Sequence, residues 1–235
     1  KGTGHVTVRG NTNPGTIQLN CEQNTHGQQI KPQPHSVGSS AVHTLPDITG
    51  DLIAGKIGGT NFTNSLLVGH ATSGTLNAAE RNTGVGTTAL DALISGDRNT
   101  AVGYNALTGE TTGQFNTAVG ASALASQVAA TYNVGIGYQA GVTLSSSDFN
   151  TLVGAQAGDS LTGGDCNYNL LLGYQSGENL SSGAGNVIIG SVDAGSATGD
   201  RQLLITGYDG SNTTTWISGD ANGQVRLTSG YIAEV

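Results

Sequence analysis

The hydrophobic pattern of the chain between positions 65 and 194 repeats with a period of about 17 residues, within the range of known repeat proteins. A glycine preceded by Val, Ile or Leu recurs eight times at this interval, and only the step from Gly154 to Gly173 is longer. The other glycines are Gly69, Gly86, Gly103, Gly120, Gly137 and Gly190. Seven of the eight follow an asparagine by four positions, at Asn82, Asn99, Asn116, Asn133, Asn150, Asn169 and Asn186. A period this regular predicts a solenoid of stacked coils.

The residues around each glycine alternate as they do in a β-strand. The residue before the glycine is aliphatic, the residue two places earlier is mostly Thr or Val, and the third residue after it is small. A coil of about 17 residues is too short for a helix pair, which needs about 33 residues. We therefore expect two short strands and two turns per coil, with residues such as Val119 facing the interior.

The glycine and asparagine positions each have a predicted role. The glycine marks a backbone with positive φ, or a place where a neighbouring backbone approaches too closely for a Cβ. The asparagines are expected to stack, each amide bonding to adjacent coils. A further column precedes the asparagines, and we interpret it as a stacking ladder that fixes register, with a glycan-binding stripe as the alternative. Its members are Arg81, Arg98, Phe115, Tyr132, Phe149 and Tyr168.

Three segments carry a family resemblance: Asn99–Leu107, Asn116–Leu124 and Asn133–Gly141. They resemble the YadA-like head repeats of trimeric autotransporter adhesins, and similar repeats occur in tail-fibre proteins of tailed bacteriophages. The resemblance implies a left-handed parallel β-roll in which three chains pack side by side. The coil here is longer than the family's usual ~14 residues, so the turns cannot be transferred from it. We therefore expect an all-β, trimeric parallel β-roll or β-solenoid of about eight coils, flanked by small β modules.

Four regions are expected along the chain. Residues 1–52 form an N-terminal β shaft or collar module, 53–64 a Gly-rich connector, 65–198 the repeats and 199–235 a C-terminal β cap. The predicted strands of the flanking modules are His5–Val8, Thr16–Asn20, Arg201–Thr206, Thr213–Ile217 and Gln224–Thr228. Trp216 is expected to be buried at the junction of three chains. The segment Thr16–Pro46 resembles modules that precede repeat heads in tail fibres of marine phages, which implies attachment of this region to other virion proteins, of tail, baseplate or capsid.

Composition supports an oligomeric fibre. Glycine accounts for 38 of 235 residues, and the hydrophobic fraction of 36% lies below the ~45–50% of globular domains. We therefore expect each chain to have little core of its own and to bury surface against partner chains. The net charge of −8, without a basic patch, argues against binding to nucleic acid. No apolar run of ~18 residues is present, so no membrane insertion is expected.

No catalytic constellation is present in the sequence, and we expect neither enzymatic activity, nor a cofactor, nor a metal. Cys21 and Cys166 are interpreted as buried small residues, with an interchain bond as the alternative. His26, His35 and His43 could each meet their copies on a trimer axis and bind a metal, but surface histidines are favoured. The carboxylates of the repeats all fall at turn-like positions, at Asp91, Asp97, Glu110, Asp148, Asp159, Asp165 and Glu178.

The expected function is that of a virion fibre protein on the particle surface, which attaches the particle to a host-cell glycan or protein. A cell-surface autotransporter head and a fibre spacer without a ligand are the alternatives. The candidate contacts are Tyr104, Tyr138 and Tyr174, together with variable arms such as Thr108–Gly113, Ser126–Ala130 and Leu144–Asp148. The seven intervals between eight coils, at ~4.8 Å each, predict a rod of about 35 Å.

Overall fold

The computed structural model describes residues 17–20, 27–30, 55–57, 62–69 and 76–227, and the chain divides into two units, residues 1–50 and 51–235. In the first unit, β1 (Ile17–Asn20) and β2 (Gly27–Ile30) form an antiparallel pair, which confirms the second predicted strand of this region. The predicted strand at His5–Val8, Cys21 and the three histidines of the metal hypothesis lie outside the described residues.

The second unit is a β-solenoid. Its strands are β3 (Gly55–Ile57), β4 (Phe62–Thr63), β5 (Leu66–Val68), β6 (Ala79–Glu80), β7 (Thr83–Val85), β8 (Thr100–Val102), β9 (Thr117–Val119), β10 (Val134–Ile136), β11 (Thr151–Val153), β12 (Leu170–Leu172), β13 (Val187–Ile189), β14 (Leu203–Tyr208), β15 (Thr213–Gly219) and β16 (Val225–Leu227). Strands β5 and β7 to β14 pair in parallel in that order, and each pairs with the strand one coil later. This confirms the all-β solenoid fold. The described part of the chain contains no helix of the length and apolarity that a membrane span requires.

From β7 to β13 each coil has one three-residue strand, so the expectation of two strands per coil is wrong for these coils, and only the coil of β5 has a second strand, β6. After the repeat glycine the backbone turns instead of extending. In the coil of β8, Asn105 and Leu107 have φ values of 56° and 49°, in the left-handed region. Alternation of left-handed residues with ordinary ones cannot produce an extended strand. The turn still bonds to the next coil, because the Leu107 amide donates to the Ala123 carbonyl at 3.1 Å.

The inward side of the strands is the opposite of the predicted one. Ala118, the middle residue of β9, is fully buried, whereas Val119 is 37% exposed. Leucines from the turns already fill the space behind the middle position. A Cβ built on Gly135, the middle residue of β10, would lie 2.6 Å from Cγ of Leu124. Only a small residue fits where a turn leucine takes up this volume, so the larger strand residues point outward.

The chain has its own hydrophobic core, so the expectation of little core is also wrong. The buried side chains include a leucine or isoleucine from every coil. Where the buried strand residue is small, the buried turn residue is large, and the reverse also occurs. The small Ala118 is combined with Leu124, whereas Leu152 is combined with Gly158 six positions later. This exchange keeps the buried volume nearly constant, as close packing requires. The small residues of the strands are therefore no argument for partner chains, because turn leucines complete the core of the single chain.

Both predicted roles of the repeat glycines are confirmed. Gly103 has a φ of +136°, and a Cβ at this position would lie 2.5 Å from the carbonyl oxygen of Gly120. Consecutive glycines therefore stack backbone against backbone. A side chain at this column would prevent two coils from approaching to hydrogen-bonding distance.

The asparagines form the expected ladder, and all seven are buried. The Asn99 amide donates to Oδ1 of Asn82 at 2.9 Å, and the same bond recurs up to the Asn186 amide and Oδ1 of Asn169. Side-chain Nδ2 atoms mostly bond to a carbonyl 14 residues later, which closes each coil on itself. Two residues other than asparagine end the ladder. Ser65 Oγ accepts from the Asn82 amide at 2.7 Å, and the Gln202 amide donates to Asn186 at 2.9 Å.

The single longer coil contains its two extra residues between Thr162 and Tyr168, whose amides keep their hydrogen bonds to neighbouring coils. This agrees with the longer step from Gly154 to Gly173 in the sequence. Cys166 is a free, buried thiol, as its interpretation required, and burial raises its pKa. Its Sγ lies 3.5 Å from the carbonyl oxygen of Ser181.

The three C-terminal strands are confirmed as β14, β15 and β16. β14 pairs in parallel with β13 and takes the place of a further coil, and the two strands after it continue the sheet in antiparallel pairs. Trp216 is 57% exposed and lies against Gly207. The single chain therefore does not bury Trp216, and burial between chains stays a prediction.

Candidate functional site

The three candidate tyrosines form an exposed row, which we call the tyrosine row. Tyr104, Tyr138 and Tyr174 each follow a repeat glycine, and each is more than half exposed. They occur in every second coil, with Ala121 and Ala155 at the same position in the coils between. Since strands lie ~4.8 Å apart, neighbouring tyrosines are about 10 Å apart. None of the three hydroxyls has a hydrogen-bond partner among the described residues, so each is available to an external partner.

The variable arms are less exposed than expected. Glu110, Gln127 and Leu144 occupy the same position in successive arms, and all three are fully buried. Val128 is an exposed arm residue, at 49%. The arms also bond between coils, for example from the Thr111 amide to the Val128 carbonyl at 2.9 Å. Each arm is thus part of the core as well as of the surface.

Glu110 is the most unusual group of the arms. Its Oε1 accepts from the Gly113 amide at 2.6 Å and from the Thr112 amide at 3.2 Å, whereas Oε2 has no partner. Burial raises the pKa of Glu110, and the charge of Asp148 adds to this effect, while the backbone hydrogen bonds lower the pKa. The amide atoms of Gln127, one coil away, also lack partners. The sequence could have indicated this pair, because Glu110 and Gln127 occupy a repeat position that is leucine in the neighbouring coils.

The column that precedes the asparagines stacks as predicted, and we call it the aromatic ladder. The ring centroids of Phe115, Tyr132, Phe149 and Tyr168 are 4.7, 5.3 and 4.9 Å apart in that order, and neighbouring rings are parallel within 9°. The guanidinium carbon of Arg98 lies 5.1 Å from the Phe115 ring centroid. This geometry supports the register role, because stacked rings hold coils at a fixed offset.

A second exposed feature is the outer strand face, made of the first and third residues of β5 and β7 to β13. The third residues are all aliphatic, and most are more than a third exposed. They are Val68, Val85, Val102, Val119, Ile136, Val153, Leu172 and Ile189. At least part of one aliphatic side chain per coil therefore reaches solvent along the stack, and contiguous exposed apolar patches are a feature that interaction surfaces share.

Several carboxylates of the repeats have structural roles. Oδ1 of Asp97 accepts from the Glu80 amide at 2.8 Å, and Oδ1 atoms of Asp148 and Asp200 accept from amides one coil earlier. Asp97 also lies 3.8 Å from Arg98. Among the described residues, no group of three His, Cys, Asp or Glu side chains is arranged to hold a metal ion.

Comparison of the chain with models of protein families, with curated proteins and with solved structures found no match.

Proposed function

We propose that the chain is a structural fibre protein of a virus particle, of the tail-fibre kind, which attaches the particle to host cells as a rigid homotrimeric adhesin. The observation that carries this proposal is the outer strand face, a continuous aliphatic stripe on a stack of coils whose core is already complete. Such a stripe is costly in water and is best explained by a protein partner.

The periodicity of the stripe favours other copies of the same chain as that partner. One apolar side chain per coil recurs at a spacing of ~4.8 Å. An identical copy carries the same spacing and can interlock along the full length, whereas an unrelated surface would match at only a few coils. The number three comes from the resemblance to YadA-like heads.

The register-fixing columns support a spacer or attachment role rather than catalysis. The asparagine ladder, the stacked glycines and the aromatic ladder each oppose bending. A stiff trimer would present three copies of the tyrosine row, and three weak contacts acting together give high avidity. The receptor would be a glycan or a protein of the host surface, and residues 1–52 would connect the fibre to other virion proteins.

The first test is oligomeric state. Light scattering should give three times the chain mass of 23.5 kDa, and a stable monomer would refute the trimer. The second test is binding of the soluble trimer to host cells and competition with virion attachment. Replacing Tyr104, Tyr138 and Tyr174 by alanine should weaken both effects, while Tyr132→Phe should preserve them. A trimer that neither binds cells nor competes is a spacer, and the adhesin proposal fails.

A further inference from the structure

The aromatic ladder has a position without a side chain at Gly185. The Gly185 amide donates to the Asn167 carbonyl at 2.9 Å, and the Arg201 amide donates to the Ala184 carbonyl at 2.8 Å. In the preceding coil, the Tyr168 amide makes the equivalent hydrogen bond to a backbone carbonyl one coil earlier. The φ values agree as well, since Tyr168, Gly185 and Arg201 have 62°, 68° and 50°. Gly185 therefore occupies the ladder position of its coil and leaves a gap between Tyr168 and Arg201.

The gap leaves one face of an aromatic ring open. Tyr168 is 63% exposed, more than Phe115, Tyr132 or Phe149 at 37%, 50% and 42%. Its other face is covered by Phe149, with centroids 4.9 Å apart. Two coil spacings, about 10 Å, separate the backbone positions of Tyr168 and Arg201, so one further ring would lie in van der Waals contact with both side chains. The stem of Arg201 forms the far wall, since its Cγ lies 3.4 Å from where a Cβ of Gly185 would be.

Arg201 differs from the other arginines of this column. Arg81 lies 2.8 Å from Glu80, and Arg98 lies 3.8 Å from Asp97. Arg201 is exposed and forms no ion pair within the described part of the chain. The preceding Asp200 directs its Oδ1 to the Ala184 amide at 2.8 Å. The planar guanidinium of Arg201 is thus available for a carboxylate, which it can bind with two parallel hydrogen bonds.

We propose that the gap at Gly185 binds a single acidic sugar ring, such as a hexuronic acid unit of a glycan. The ring would stack on Tyr168, and its carboxylate would pair with Arg201. Two walls and open edges suit a pyranose, whose faces carry C–H groups and whose hydroxyls stay in water. A single sugar carboxylate meets less repulsion from a chain of net charge −8 than the successive phosphates of nucleic acid would. The inference rests on the proposed function, since the glycan would belong to the host surface.

The test measures binding of methyl β-glucuronide to the full chain by saturation-transfer NMR and titration. Methyl β-glucoside, which lacks the carboxylate, is the uncharged control ligand. We expect a dissociation constant on the order of millimolar for the glucuronide, and binding of the glucoside about tenfold weaker because it lacks the carboxylate. Arg201→Gln should make the two affinities equal. Gly185→Tyr should abolish binding of both sugars without lowering Tm, since Tyr132 and Tyr168 adopt similar φ values in this column. Tyr132→Phe, within the ladder but away from the gap, is the control that should keep binding.

The outcomes separate the site from the function. Equal wild-type affinity for the two sugars, or undiminished binding by Gly185→Tyr, would overturn the proposed site. Tighter binding of indole or adenosine than of glucuronide would show that the gap takes flat aromatic rings and would overturn the sugar assignment. A trimer that binds cells while neither sugar binds refutes the site alone. If the trimer binds glucuronide but does not bind host cells, the site is supported and the proposed adhesin function is refuted.

Discussion

The side-chain oxygen of Asn116 accepts a hydrogen bond from the backbone amide of Asn133 at 3.0 Å, although the two residues are 17 positions apart. The amide nitrogen of the Asn116 side chain donates to the Ala130 carbonyl at 2.7 Å, and the side chain is fully buried. The Asn116 side chain thus links its own coil to the next one and also holds the two ends of its own coil together. Since neither group can reach water, both bonds depend on this residue.

Replacing Asn116 by alanine should therefore lower the free energy of unfolding by about 2–6 kcal/mol, at about 1–3 kcal/mol for each buried group left without a partner. Asn116→Ser should cost less, because a serine oxygen at Ser65 accepts the equivalent bond in the first coil. Urea unfolding measures both values, with the exposed Thr112→Ala as control. Equal stability of all four proteins would contradict the role of the ladder.

The stacked glycines give a second prediction. Gly103→Ala would combine a strained φ of +136° with a Cβ 2.5 Å from the Gly120 oxygen, so we expect a loss greater than the about 1–3 kcal/mol of backbone strain alone. Gly210 has a φ of +95° with no atom within 4 Å of its added Cβ, so Gly210→Ala should cost only that strain. Thermal unfolding of the two variants compares them. A smaller loss of Tm for Gly103→Ala than for Gly210→Ala would refute the close-approach argument.

Glu110 should make stability depend on pH. Burial raises its pKa in the folded chain above the ordinary value near 4.5, so folding favours the protonated form. This contribution is fully present below the pKa of the unfolded chain and is lost as pH rises through the folded pKa. The difference in unfolding free energy between wild type and Glu110→Gln should therefore fall with increasing pH across that window and stay constant above it.

A matched control for this pH profile is Asp209→Asn. Backbone hydrogen bonds from Asn212 and Ser211 lower the pKa of Asp209, so its contribution is present above the unfolded pKa and is lost as pH falls. The two variants should therefore change the profile in opposite directions. Urea unfolding at a series of pH values gives both profiles, and parallel profiles of wild type and Glu110→Gln would exclude a titrating Glu110.

The two sides of β9 should respond differently to a charge. Ala118→Asp places a carboxylate without a partner inside the coil and should cost several kcal/mol, enough to unfold the chain. Val119→Asp should leave the coil folded, because this side chain reaches solvent, but should disrupt the trimer. Circular dichroism reports folding and analytical ultracentrifugation reports assembly, with Thr112→Asp, at an exposed arm position, as the control that should keep both. A trimeric Val119→Asp variant would show that the outer strand face is not the interface.

Much of the candidate surface could be predicted from the sequence. Tyr104, Tyr138 and Tyr174 occupy the repeat position after the glycine, where the coils between have alanine, and large polar-tipped rings are seldom fully buried. Stacking of Phe115 on Tyr132 follows from the repeat period, because the two rings occupy the same position in successive coils. The gap at Gly185 is visible in the same column, but its open ring face depends on where the side chains of Tyr168 and Arg201 lie.

The period, the coil stack, the asparagine ladder and the close approach of the glycines follow from the repeat alone, because each depends only on residues recurring at a fixed interval. Which side of the strand faces the core depends on how the coil packs. Period-two alternation leaves two apolar candidates, Ala118 and Val119, and residue size alone favours the valine. The turn that carries Leu124 fills the interior from the other side, so the space left behind the strand accepts only the smaller residue.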